Sequence, residues 1–207
     1  MKIAYNPQEA KELGFPSWVC EAKWEGKMEM LENETVFFRK GVWKNGIWKK
    51  GTWINGTWIA GIWEDGIWED GIWEDGFWEK GKWKDGIWKN GTWINGTWED
   101  GIWRKGTWEN GTWENGIWEN GVWKEGTWYK GIWENGTWKY GTWKNGKWYY
   151  GTWEKGKWEY GIWKKGYWEN GLWKNGIWKY GTWINGAWEK GTWKDGVWEN
   201  GIWLKGI

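Results

Sequence analysis

The chain has no histidine. That removes the side chain that most often activates a serine or cysteine nucleophile, and the commonest ligand for a transition metal. Ser17 is the only serine, and Cys20 the only cysteine. A single cysteine excludes an intramolecular disulfide and a cysteine-based zinc site, and it suits a reducing compartment or an assembled particle such as a virion. Proline is confined to Pro7 and Pro16. No apolar run approaches the roughly 20 residues of a membrane helix, and the N-terminus lacks the apolar core of a secretory signal. Neither sign of charge is in excess: Lys+Arg 29 against Asp+Glu 28 leaves +1. Such a balance argues against counterion-driven binding to nucleic acid and against an acidic mimic of a duplex. The expectation is a protein that is not an enzyme, holds no cofactor or metal, and binds neither nucleic acid nor membrane. It is expected in the cytoplasm or in a virion.

What the chain has is glycine and tryptophan, 36 and 35 of them. From Gly41 the order Gly-x-Trp-x-x repeats without insertion through Gly201-Ile202-Trp203-Leu204-Lys205, and Gly206-Ile207 begins another unit. A short strict period marks a repeat architecture. The second position is Ile, Val or Thr in 26 of 33 units, which favours extended backbone. The fourth is mostly Glu or Lys and faces water. The fifth is Asn or Asp in 19 units, so a turn is expected at every unit junction. Gly and Trp, two apart, share one face of an extended segment. There a bulky ring beside an absent side chain keeps a repeating interior close-packed. A helix is disfavoured because glycine would recur through it at roughly 1 kcal/mol each relative to alanine. Disorder is disfavoured because so much indole surface would stay wet.

Residues 1–40 are of another kind and read as an N-terminal cap with a short helix, preceding a repeat domain over 41–207. Asn6-Pro7-Gln8-Glu9 has the order of a helix start, and Gly14 that of its end. Beyond it the alternation of Trp18, Cys20 and Ala22 predicts a strand. Met28 and Phe38 occupy the Trp place of the repeat frame, as degenerate first coils would. Trp18 and Trp24 are the tryptophans expected to be exposed.

A small residue, a bulky apolar residue two places later and polar residues elsewhere, at a period of five, resembles the pentapeptide-repeat proteins. That resemblance implies an all-β, four-sided β-solenoid with four units to the coil, a coil period of 20, here with a small N-terminal α/β cap. Tyr140, Tyr160 and Tyr180 fit a spacing of 20, as do Tyr129 with Tyr149 and Ile184 with Leu204. The units depart from the family's usual residues, with Gly for Ala, Ile or Thr for Asp or Asn, and Trp for Leu or Phe. The rival is a curled β-hairpin meander, because Trp-x-Asn-Gly also resembles the hairpin-built MORN repeats and Asn-Gly is a strong hairpin signal. A two-sided coil is the remaining alternative.

Carboxylates are densest at Glu64-Asp65, Glu69-Asp70, Glu74-Asp75 and Glu79, where a cation site competes with a solvated face and the latter is the expectation. A Thr file fit for ice is not expected, since the 12 second-position threonines look scattered. The array ends on Leu204, at a place usually charged, and on Ile207. These two are the expected interface residues, giving a homo-oligomer or a larger assembly through the C-terminal end. The function expected is a rigid, non-catalytic spacer, scaffold or fibre component, similar to phage-like structural proteins. A surface module for a glycan or protein ligand, or an inhibitor of the pentapeptide type, is the alternative.

Overall fold

A computed structural model describes residues 1–139, 141–143, 145, 147–148, 152–153, 157–158 and 161–204. Five elements precede the array: β1 (Lys2–Ala4), α1 (Pro7–Glu12), α2 (Ser17–Glu21), β2 (Lys23–Met30) and β3 (Val36–Asn45). The helix start read from sequence is present. Asn6 Oδ1 accepts from the Glu9 amide at 3.0 Å, and Glu9 Oε2 accepts from the Tyr5 amide at 2.8 Å. Gly14, at φ +71°, closes α1. Its amide donates to Lys11 O and that of Phe15 to Ala10 O, the double bond of a Schellman end. The strand expected over Trp18–Ala22 is instead α2, which begins directly after Pro16.

From β3 onward the chain is a parallel β-solenoid of two-residue strands, one per unit, each made of the second and third positions. Each inner strand pairs in parallel with the strands three units before and after it, as Ile87 does with Ile72 and Ile102. The coil is therefore three units with a period of 15, the separation of Glu69 and Lys84, rather than four units with a period of 20. One face carries eleven strands, and the other two join into a single sheet through β1, β2 and β3. At about 4.8 Å per strand the rod is roughly 50 Å long. The parallel ladder also overturns the hairpin meander, which needs antiparallel neighbours. Among the described residues, antiparallel pairing is limited to β1 with β2 and β2 with β3.

Indole shape accounts for three sides. Rings of successive units meet edge to face, Trp98 and Trp103 at 6.0 Å and 74°. Three such contacts close a triangle that fills the lumen, whereas four rings at the same spacing would leave a central gap. Rings one coil apart stack, Trp88 on Trp103 at 4.7 Å and 6°. From Trp43 to Trp188 every array ring is fully buried.

Glycine is required more by the backbone than by the rings. At Gly111 φ is +128°, and an added Cβ would stand 2.5 Å from the carbonyl oxygen of Gly96 and 3.2 Å from Cζ2 of Trp108. The fifth-position Asn or Asp secures the same corner: Asp75 Oδ1 accepts from the Gly76 amide at 2.7 Å and Asn120 Oδ1 from Gly121 at 2.8 Å. That residue does not itself adopt positive φ, since Glu34 is the only described non-glycine that does. Lys80 and Lys105 are tolerated there for this reason.

The N-terminal segment meets the array with aromatic rings. Phe38 stacks on Trp53 at 4.0 Å, and Trp18 sets its edge on Trp48 at 5.1 Å. Trp24 pairs across the ladder with Trp43, and its indole N–H donates to Val19 O at 2.8 Å. Trp18 and Trp24 are thus buried, contrary to the sequence expectation. Phe38 holds the place expected of it in the repeat frame, whereas Met28 lies in antiparallel β2. Glu29, nearly buried, accepts from Lys27 at 2.8 Å and Arg39 at 2.7 Å. Those two hydrogen bonds, Lys27's first, hold its carboxyl below the usual carboxylate range.

Replacing Gly111 by Ala forces both a disallowed φ and a backbone collision, and is expected to cost about 3 kcal/mol or more. Thermal melts followed by near-ultraviolet circular dichroism measure it; a melting point indistinguishable from wild type would contradict the close-approach argument. Because the folded Glu29 carboxyl is depressed, its contribution is complete above the ordinary carboxylate range and is lost as pH falls through the lowered value. Glu29→Gln is expected to lower stability at neutral pH and to flatten this part of the acid limb, as read from urea midpoints across pH.

Candidate functional site

The interior of the array is filled, among the described residues, by indole rings. Among the described residues, thirty indole N–H groups, from Trp43 through Trp188, are buried without a hydrogen-bond acceptor. An unmet buried donor ordinarily costs about 1–3 kcal/mol. Burying a ring of this size returns about 4–6 kcal/mol, and the edge-to-face contacts add to it. Ring burial therefore outweighs the orphaned donors, and the array tolerates a polar defect in each unit. Cys20 is half-buried, with Sγ 3.5 Å from Phe15 O, and burial pushes its thiol pKa up, away from the reactive thiolate.

The acidic run disperses around the rod. Asp65 pairs with Lys80 at 3.3 Å, Glu69 with Lys84 at 2.9 Å and Glu74 with Lys89 at 2.8 Å, each one coil along. These carboxylates serve neighbouring coils and do not converge on one point.

The three-unit register also sorts the second-position side chains, which looked scattered when the coil was taken as four units. Thr97, Thr112, Thr127 and Thr142 form a continuous file on one face. Glu99, Glu114 and Tyr129 follow on the same face at the fourth position, which gives it a hydrated, charged border. Ile72, Ile87, Ile102, Ile117 and Ile132 form a second file on another face.

The end of the array differs from its middle. Trp193, Trp198 and Trp203 close a last triangle at 5.6, 5.2 and 6.0 Å. Trp193 and Trp198 are only partly buried, and Trp203 is 40% exposed. Leu204 is 62% exposed while its amide still donates to Trp188 O at 2.9 Å. Leu204 and Ile184, paired by a spacing of 20 in the sequence reading, lie on different faces, since the Ile184 amide donates to Trp168 O. Val197 and Ile202 are exposed beside the triangle. Ile207, the other expected interface residue, lies outside the described residues, as do Tyr140, Tyr149 and Tyr160. The sequence pointed to Leu204 by its departure from the charged norm. It carried no sign of the three indoles, because they obey the repeat.

The chain matches no family model, no curated protein and no solved structure.

Iodide quenching is expected to reach only a small part of the indole emission, and Trp203→Phe to reduce that part further. Bulk emission quenched as freely as that of the unfolded chain would contradict the closed core.

Proposed function

We propose that the protein is a non-catalytic structural or interaction element: a stiff solenoid that serves as spacer, scaffold or fibre component. The observation that carries this reading is the unbroken stack of buried indoles. It commits four-fifths of the chain to rigidity and leaves the described surface with side chains engaged in files and ion pairs. We read the chain as a variant on the theme of the pentapeptide-repeat proteins, with Trp in the interior place and three sides where that family has four. Residues 1–40 serve in this reading as the cap of the first coil, through Trp18 and Phe38.

The reading includes association end to end. The last triangle offers three indole faces and the apolar neighbours Val197, Ile202 and Leu204, a surface that another aromatic layer would cover as each inner layer covers the one before it. A second copy or a larger assembly supplies that layer. Leu204→Lys places a charge at its rim without touching the inner stack.

Light scattering over a concentration series tests this. Wild type is expected to gain mass with concentration and Leu204→Lys to lose most of that gain. Equal masses for the two proteins at every concentration would remove the end-on contact from the reading. Small-angle scattering that shows the folded array as flexible as an unfolded chain would remove the rod itself.

A further inference from the structure

We infer that the isoleucine face is a second, lateral interface, and that its partner is another copy of this chain lying antiparallel. The proposal goes beyond end-on association and uses a different surface. Its basis is the order of charges that the three-unit coil places beside the isoleucine file.

The file from Ile72 to Ile132 is half-buried in every coil, an apolar stripe on an otherwise charged rod. On one side of it runs the fourth-position file Lys89, Arg104, Glu119, Glu134. On the other runs the corner file Asp85, Asp100, Asn115, Lys130. Each side passes from one charge character to the other near the same level, between the coils of Ile102 and Ile117. That is the pattern a surface needs to match its own inverted copy.

Consider a two-fold axis at that level, lying in the interface and perpendicular to the rod. It sets Ile102 against Ile117 and Ile87 against Ile132. On the first side it brings Arg104 to Glu119 and Lys89 to Glu134. On the second it brings Asp85 to Lys130 and Asp100 to Asn115, an acid to an amide. Across these four coils, every charged residue of the two border files meets an opposite charge or a hydrogen-bonding neutral group. A parallel arrangement, about an axis along the rod, also makes opposite pairs: Lys89 with Asp85, Arg104 with Asp100 and Glu134 with Lys130. It adds two conflicts, however. Lys147 meets Lys147 in the centre of the stripe, and Glu74 meets Asp70 on both sides. The antiparallel arrangement places Lys147 over Ile72 instead, and the like-charged contact it makes, Lys44 with Lys179, falls near the ends of the overlap rather than in the centre of the stripe.

Some of these groups already have partners within the chain: Lys89 lies 2.8 Å from Glu74, and Asp100 accepts from Asn115 at 2.8 Å, so the interface would share these groups rather than find them free. Arg104 and Glu119 of one chain stand 3.9 Å apart and remain about half exposed, so both retain capacity for a partner. The ladder runs from Ile72 to Ile132 without a register shift, so the stripe and its borders recur at every coil.

Charge exchange across the axis tests the proposal, read by sedimentation of the protein in the Leu204→Lys background so that end-on contacts do not contribute. The parent is expected to self-associate. Arg104→Glu sets Glu against Glu and Glu119→Arg sets Arg against Arg, so each alone is expected to weaken association about a hundredfold. An equimolar mixture of the two variants is expected to associate as tightly as the parent, because both contacts become opposite again. Unchanged near-ultraviolet circular dichroism confirms that the fold is intact in each. A parent that stays monomeric at high concentration overturns the lateral interface, while leaving the end-on contact to be judged separately by the effect of Leu204→Lys alone. Single variants that associate like the parent, or a mixture that stays monomeric, overturn it equally. Selective failure of Arg104→Glu, without rescue by mixing, places the copies parallel and overturns the antiparallel arrangement.

Discussion

One length governs this molecule: the separation of neighbouring parallel strands. The backbone ladder fixes it at about 4.8 Å, and the indoles stack at 4.7 to 4.8 Å through the middle of the array. A flat ring is one of the few bulky side chains that can recur at every level of such a ladder without collision. Nearly parallel planes, offset from one another, convert the ladder spacing into ring contact. Glycine follows from the same constraint, because the corners approach until the carbonyl of one meets the Cα of the next. Gly96 and Gly111 are such a pair. Tryptophan sets the width of the coil, and glycine permits its rise.

How much of this was legible follows from what kind of signal each feature leaves. Period five, the inward Trp and the outward fourth position are written in every unit, and they stand in the structure as read. The caps of α1 were legible because Asn6, Pro7, Glu9 and Gly14 act over a few residues. The number of sides was not legible from the unit, since identical units carry no mark of which neighbours touch. Only the departures from identity carry it. The tyrosines favoured a period of 20 by accident of a few positions. The runs Ile72 to Ile132 and Thr97 to Thr142, all at intervals of 15, held the better signal, because half-buried second positions that stack on one another favour like residues over several coils. The α2 segment was misread because Trp18, Cys20 and Ala22 alternate as a strand would, while Pro16 and the packing of Trp18 on Trp48 favour a helical turn.

The thirty unmet indole donors among the described residues show that ring packing, rather than hydrogen bonding, decides the interior. In an ordinary core one such donor marks a defect, and selection of a neighbour with an oxygen removes it. Here no neighbour can change for one ring without changing the pattern for all, because each ring is bounded by rings and by glycine. The defect is therefore shared equally along the rod. It also means that no unit is chemically distinct from the next inside the stack, which leaves the exterior and the ends as the only places where individuality can reside.

That separation bears on how function is distributed. An interior bound to one residue type cannot be varied to make a site, but it holds each surface position at a fixed height and angle. Side chains on such a lattice act as files rather than as points: a threonine file bordered by acids on one face, an isoleucine file bordered by charges that reverse partway along on another. The reversal of sign on these borders already sets Arg104 beside Glu119 and lets Asp100 accept from Asn115 within one rod, as Glu69 pairs with Lys84 and Glu74 with Lys89 elsewhere. Under the antiparallel arrangement proposed above, the same order would also match a second rod. The surface order is thus the one part of the repeat that the stack does not require.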